Sequence, residues 1–80
     1  MSLVLKVVSP EKVEYVGNVT SVTVPGTSGE FEILSEHAPI ISTLEKGRVK
    51  YQDSEGTHGL DILAGFIEVQ KNLVNICVEL

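Results

Sequence analysis

Twenty-three of the 80 residues are β-branched (12 Val, 6 Ile and 5 Thr), whereas alanine occurs only at Ala38 and Ala64. Branched side chains are stiff at χ1, lose freedom in a helix and pack well on a pleated surface, so the chain is biased strongly toward strands. No stretch carries a 3.6-residue apolar stripe. Eighty residues hold one core, which predicts a single domain over 1–80.

Turn signals recur every 8 to 12 residues along the chain, the mark of a small sandwich or barrel. The expected fold is all-β, a small antiparallel β-sandwich or flattened barrel. Strands are predicted over Leu3–Val8, over Val13–Val16 up to a turn at Gly17-Asn18, and over Val19–Val24, where a slip in the alternation suggests a bulge. A loop over Pro25–Gly29 leads into Glu30–Ile33, with Phe31 and Ile33 inward and the two glutamates outward. After the loop Ser35–Pro39, Ile40–Leu44 and Arg48–Gln52 read as a hairpin around Glu45-Lys46-Gly47. Beyond a turn at Asp53–Gly56 come Thr57–Leu63, an interruption at Ala64-Gly65, and two last strands, Phe66–Gln70 and Leu73–Val78, joined by Lys71-Asn72.

Charge and cysteine usage exclude several classes of function. Six basic residues against eleven acidic ones give a net charge of −5. A chain so charged repels nucleic acid, which needs a basic stripe, and does not adsorb to an anionic lipid surface. The single cysteine, Cys77, permits no intrachain disulfide. No apolar run reaches the ~18 residues that span a bilayer, and the first residues lack the layout of a signal peptide. A mean hydropathy of +0.20 is high for a domain with so much surface, and it suggests a face covered by a partner.

Candidate chemistry is sparse. Glu30 and Glu32 share one strand face and could pair as acid and base, but with no cleft predicted a solvated sheet edge is the favoured reading. His37, His58 and Cys77 are scattered singly rather than at zinc spacing, and Cys77 lies among apolar neighbours that favour an inert thiol. Pro25–Glu30 is glycine-rich yet lacks the Lys-Ser/Thr of a phosphate loop, and Asn18-Val19-Thr20 matches a glycosylation sequon that means nothing without secretion. Residue chemistry alone ends at an all-β interaction domain. A biotinyl or lipoyl carrier domain is the alternative, with Lys46 as the nearest candidate for a displayed hairpin lysine; a small enzyme using Glu30, Glu32 or His37 is the third reading.

Five ordered phrases cover almost the whole chain: Val8-Ser9-Pro10-Glu11; Val24-Pro25-Gly26 with Gly29-Glu30-Phe31; Ile33-Leu34 then His37-Ala38-Pro39; Gly47-Arg48-Val49; and Gly65-Phe66-Ile67-Glu68-Val69 followed by Val74. Together they resemble the N-terminal domain of the epsilon subunit of the bacterial F-type ATP synthase, called delta in mitochondria. The resemblance implies a flattened sandwich of about ten short strands in the central stalk, binding the gamma subunit and the loops of the c-ring and coupling proton flow to ATP synthesis. It implies no catalytic residue, no cofactor and no metal, and a peripheral place on the cytoplasmic face of the bacterial inner membrane without membrane insertion. By position, Glu30, Phe31 and Glu36 match the c-ring end, and His37, Ala38, Pro39, Ile41 and Ser42 match the stretch that approaches gamma. Gly26, Gly29 and Gly65 carry over as structural glycines. The chain departs from the family at Glu32, where a glycine is usual, and at Ser35, where a proline is usual. Typical members continue into a helical hairpin that can inhibit hydrolysis and in some cases binds ATP; the 80 residues contain no counterpart, so this chain is expected to bind no ATP.

Overall fold

Leu3, Leu5 and Val7 alternate with exposed residues, and this period of two is the pattern of a strand with one face on a core. The computed structural model describes residues 2–80. Nine strands follow one another: β1 Leu3–Val8, β2 Val13–Val19, β3 Ser21–Gly26, β4 Gly29–Leu34, β5 Ile40–Leu44, β6 Gly47–Asp53, β7 Gly56–Ile62, β8 Ala64–Gln70 and β9 Leu73–Glu79. The described residues contain no helix. Strand count is therefore nine, against the ten or so that the resemblance implies.

The strands form one curled sheet in the order β2-β1-β9-β8-β5-β3-β6-β7, with β4 on the free side of β3. It folds over into two layers. One contains β2, β1, β9, β8 and β5; the other contains β4, β3, β6 and β7. They meet at a corner where Gly26 pairs with Leu44. Inward side chains of both layers make one core, with Leu5, Val7, Val22, Val24, Ile33, Val49, Ile67 and Ile76 fully buried. Among the described residues no polar side chain is buried, so apolar packing carries the interior.

Several local expectations are corrected. Gly17-Asn18 forms no turn, because β2 runs on through both residues, pairing Gly17 with Leu5 and Asn18 with Val4. The slip after Val19 is not a bulge. The chain changes layer at Thr20, whose N–H donates to Gln52 O at 2.8 Å, and the real irregularity lies at Val7/Val8 opposite β2. Pro25 and Gly26 belong to β3, so the loop shrinks to Thr27-Ser28, with Gly29 at φ +126° supplying a conformation that only glycine adopts freely.

The predicted hairpin of Ile40–Leu44 with Arg48–Gln52 does not form. Glu45-Lys46 carries the chain between layers, so β5 pairs with β8 while β6 pairs with β3 and β7. Ala64-Gly65 does not interrupt but opens β8, and Gly65 lets the Cys77 carbonyl approach closely. One pairing, β1 with β9, is parallel; the others are antiparallel.

Candidate interaction surfaces

The outer faces of the two layers differ in chemistry. On the five-stranded layer, register brings Val16, Lys6, Asn75, Glu68 and Ile41 into one row across β2, β1, β9, β8 and β5. Beside it runs Val8, Cys77 and Phe66, and on the other side Val4, Leu73 and Gln70. Val16 and Phe66 are exposed, and Ile41 is 75% exposed, the largest value among the exposed large hydrophobic residues. A sheet normally turns polar side chains outward on its solvent face, whereas here Val4, Val16, Leu73, Phe66 and Ile41 stand exposed among Lys6, Asn75, Glu68 and Gln70, a mixed apolar and charged surface.

The four-stranded layer is instead polar and ion-paired. Arg48 Nε and Nη2 donate to Asp61 at 2.9 and 3.2 Å, and Lys50 Nζ lies 3.8 Å from Glu30 Oε2. The guanidinium lies flat across Gly59, where a Cβ would meet Nη1 at 2.6 Å. The fork geometry holds the Asp61 carboxyl below its ordinary range. Such exposed pairs add little stability, but they leave this face well solvated.

The sequence-predicted contact residues fall at two ends of β4. Glu30 is exposed at its start, and Phe31 folds over Gly26 toward the core, where a Cβ on Gly26 would meet Phe31 Cε1 at 2.6 Å. Thr27 and Thr43 hydroxyls, 3.0 Å apart, fasten this tip to β5. Glu36 lies past the far end, roughly 20 Å along an extended chain from Glu30. It adopts φ +64°, and its N–H donates to Asn72 Oδ1 at 2.7 Å, fixing the loop against the β8–β9 turn. His37 Nδ1 donates to Ala38 O at 2.7 Å. Glu36, His37, Ala38 and Pro39 thus form one loop that continues into Ile41 and Ser42 of β5; Glu30 and Phe31 stand apart from them.

The same distances bear on the rival readings. His37 sits at the opposite end of β4 from Glu30, so the residues proposed for a small enzyme are not gathered. Lys46 lies on a link between unpaired strands rather than on the tight hairpin a carrier domain displays. Among the described residues, no group of three or more His, Cys, Asp or Glu could hold a metal ion. No helix is long and apolar enough to cross a membrane.

A further cluster escaped the sequence reading. Asp53 accepts from His58 Nε2 at 2.9 Å, from the Glu55 N–H at 2.8 Å and from the Tyr15 hydroxyl at 3.2 Å, tying the β6–β7 hairpin to β2. Tyr51 stacks on His58 and packs against Tyr15. The signal was available in part, because a turn at Ser54-Glu55 puts Tyr51 opposite His58. Tyr15, distant in sequence, was not readable. The His58 bond, then the Glu55 N–H, hold the Asp53 carboxyl below its ordinary range, while burial pushes both tyrosine hydroxyls up. A carboxylate lowered by folding stabilises fully above its unfolded pKa of about 3.9 and stops doing so as pH falls through the folded value. Asp53→Asn is therefore expected to flatten the acid limb of stability, measured as the urea midpoint between about pH 6 and about pH 2. Parallel wild-type and variant curves below about pH 4 would refute this role.

The two packed layers of strands make the molecule a β-sandwich domain. Residues 2–80 match the family model described as the ATP synthase, Delta/Epsilon chain, beta-sandwich domain. The chain belongs to that family. Its relatives include the ATP synthase epsilon chain of Leptospira borgpetersenii, 42% identical over 94% of this chain and 59% of the relative, and that of Synechocystis, 33% identical over 99% and 58%. The chain thus spans somewhat under two thirds of the length of these relatives. In structure it is similar to a chain of the Euglena gracilis mitochondrial ATP synthase, solved as OSCP, F1 and c-ring, with a TM-score of 0.89 at 20% identity over 96% of this chain and 50% of the other. A chain of the Tetrahymena thermophila mitochondrial ATP synthase central stalk and c-ring gives 0.81 at 16% identity over 99% and 64%.

Proposed function

We propose that this chain is a non-catalytic module of the ATP synthase central stalk, peripheral to the membrane on its cytoplasmic side, which couples proton translocation to ATP synthesis by joining gamma to the c-ring. His37, Ala38 and Pro39, with Ile41 and Ser42, form the gamma contact, and Glu36, expected at the ring end but held in the same loop as His37, is reassigned to it. Glu30 and Phe31, at the β3–β4 hairpin, meet the polar ring loops. One observation carries the reading: Ile41, inside the segment that matches the family's gamma contact, is 75% exposed on the outer face of the five-stranded layer. A large aliphatic side chain held rigidly by a strand costs little order to bury, which suits it as an anchor in a partner's pocket.

The module works as a rigid body in this reading. Torque and position pass between gamma and the ring through a packed two-layer sheet rather than through any reacting group. Ile41→Glu is expected to weaken association with purified gamma at least roughly tenfold, with the melting temperature unchanged, because the side chain has no role in the core. Titration of labelled chain with gamma measures it. Absence of wild-type association at micromolar concentration would overturn the proposal.

A further inference from the structure

The central row of this outer face has an internal symmetry. Val16, Lys6, Asn75, Glu68 and Ile41 read outward from Asn75 as one opposite charge and then one aliphatic residue on each side. Neither Lys6 nor Glu68 has an ion-pair partner among the described residues. A two-fold axis lying in the face along β9 would set Lys6 of each copy on Glu68 of the other, Val16 on Ile41, Val8 on Phe66, and Leu73 on Leu73. The other in-plane axis, across the strands, would oppose Lys6 to Lys6 and Glu68 to Glu68. The charges therefore select one arrangement of a second copy and reject the other.

We infer that this face binds a second copy of the chain, as an isologous dimer of two five-stranded layers packed face to face along β9. Aligned sheets pack at about −30°, which splays strand ends. Glu79, at the rim near the axis, then lies roughly 7 Å to the side of its symmetry mate, in water, where the repulsion is screened. The face measures roughly 19 by 20 Å, so the projected area of both copies is about 800 Å², below the 1,200–2,000 Å² of stable complexes. The dimer is thus a weak one that covers this face while the chain is unassembled. It goes beyond the stalk reading and can fail independently of it, since it is tested on the chain alone.

Sedimentation of the purified chain from about 1 to about 500 μM should show a reversible monomer–dimer equilibrium. Lys6→Glu and Glu68→Lys, both on the surface, should each raise the dimer Kd roughly tenfold by opposing like charges twice across the axis. Carrying both changes in one chain should restore the wild-type Kd, and an equimolar mixture of the two single variants should form a heterodimer tighter than either variant alone. A wild-type chain that stays monomeric throughout overturns the inference. So does a dimer indifferent to the single changes, or a mixture showing no preferred heterodimer.

Discussion

Gly65→Ala is expected to cost about 3 kcal/mol of stability, a large share of the roughly 4–12 kcal/mol available to an 80-residue domain. In β8, Gly65 sits opposite Val78 of β9, and a Cβ there would fall inside contact distance of the Cys77 carbonyl, with Val78 Cα at 3.3 Å. Both neighbours are backbone, so neither can swing aside. The strands must separate locally, loosening the pairing that holds β9 between β1 and β8. Gly59→Ala is the control, since the atom nearest its Cβ is the end of the Arg48 side chain, which can move into water. Thermal or urea unfolding that gave the two variants equal midpoints would dismiss the backbone-clash argument.

Ile67→Ala should be comparably severe. Ile67 is fully buried, paired with Ser42 on one side and Ile76 on the other, and removal of its branched chain leaves a cavity between layers. The expected loss is about 3 kcal/mol, or a fall of roughly 12–24 °C in Tm. Its neighbour Phe66, larger but 47% exposed on the outer face, should lose little on change to alanine. Two adjacent residues of similar hydrophobicity thus separate core from surface. If Phe66→Ala were the more damaging change, the assignment of inner and outer faces would be wrong.

These residues also mark how far the sequence could be read. Alternation was enough to orient β4 and β9, because Phe31 and Ile33, or Val74, Ile76 and Val78, leave one burial choice. Glycine misled, since Gly17 and Gly65 are needed for close packing inside strands yet look like the glycine of a turn. Pairing misled further: β5 and β6 are neighbours in sequence but lie in different layers, and nothing local announces that the Glu45-Lys46 link crosses between them. The parallel β1–β9 contact joins residues about 70 positions apart and has no local signature at all.

The candidate surfaces follow the same division. Ordered motifs marked Glu30 and the His37–Ser42 stretch, but only the register shows that β4 separates Glu30 from Glu36. The outer face needed five strands in their spatial order before Val16 and Ile41 could be placed in one row. Tyr15, His58 and Asp53 likewise converge only through folding.

β9, the last of the described strands in chain order, occupies an interior position between β1 and β8. During translation the five-stranded layer cannot assemble in order. Until residues 73–79 leave the ribosome, β1–β2 and β5–β8 are two separate ribbons with exposed edges and an unfilled slot between them. The nascent domain therefore completes its fold in a single late insertion, and a ribosome stalled before residue 73 would hold a chain open to strand exchange with its neighbours.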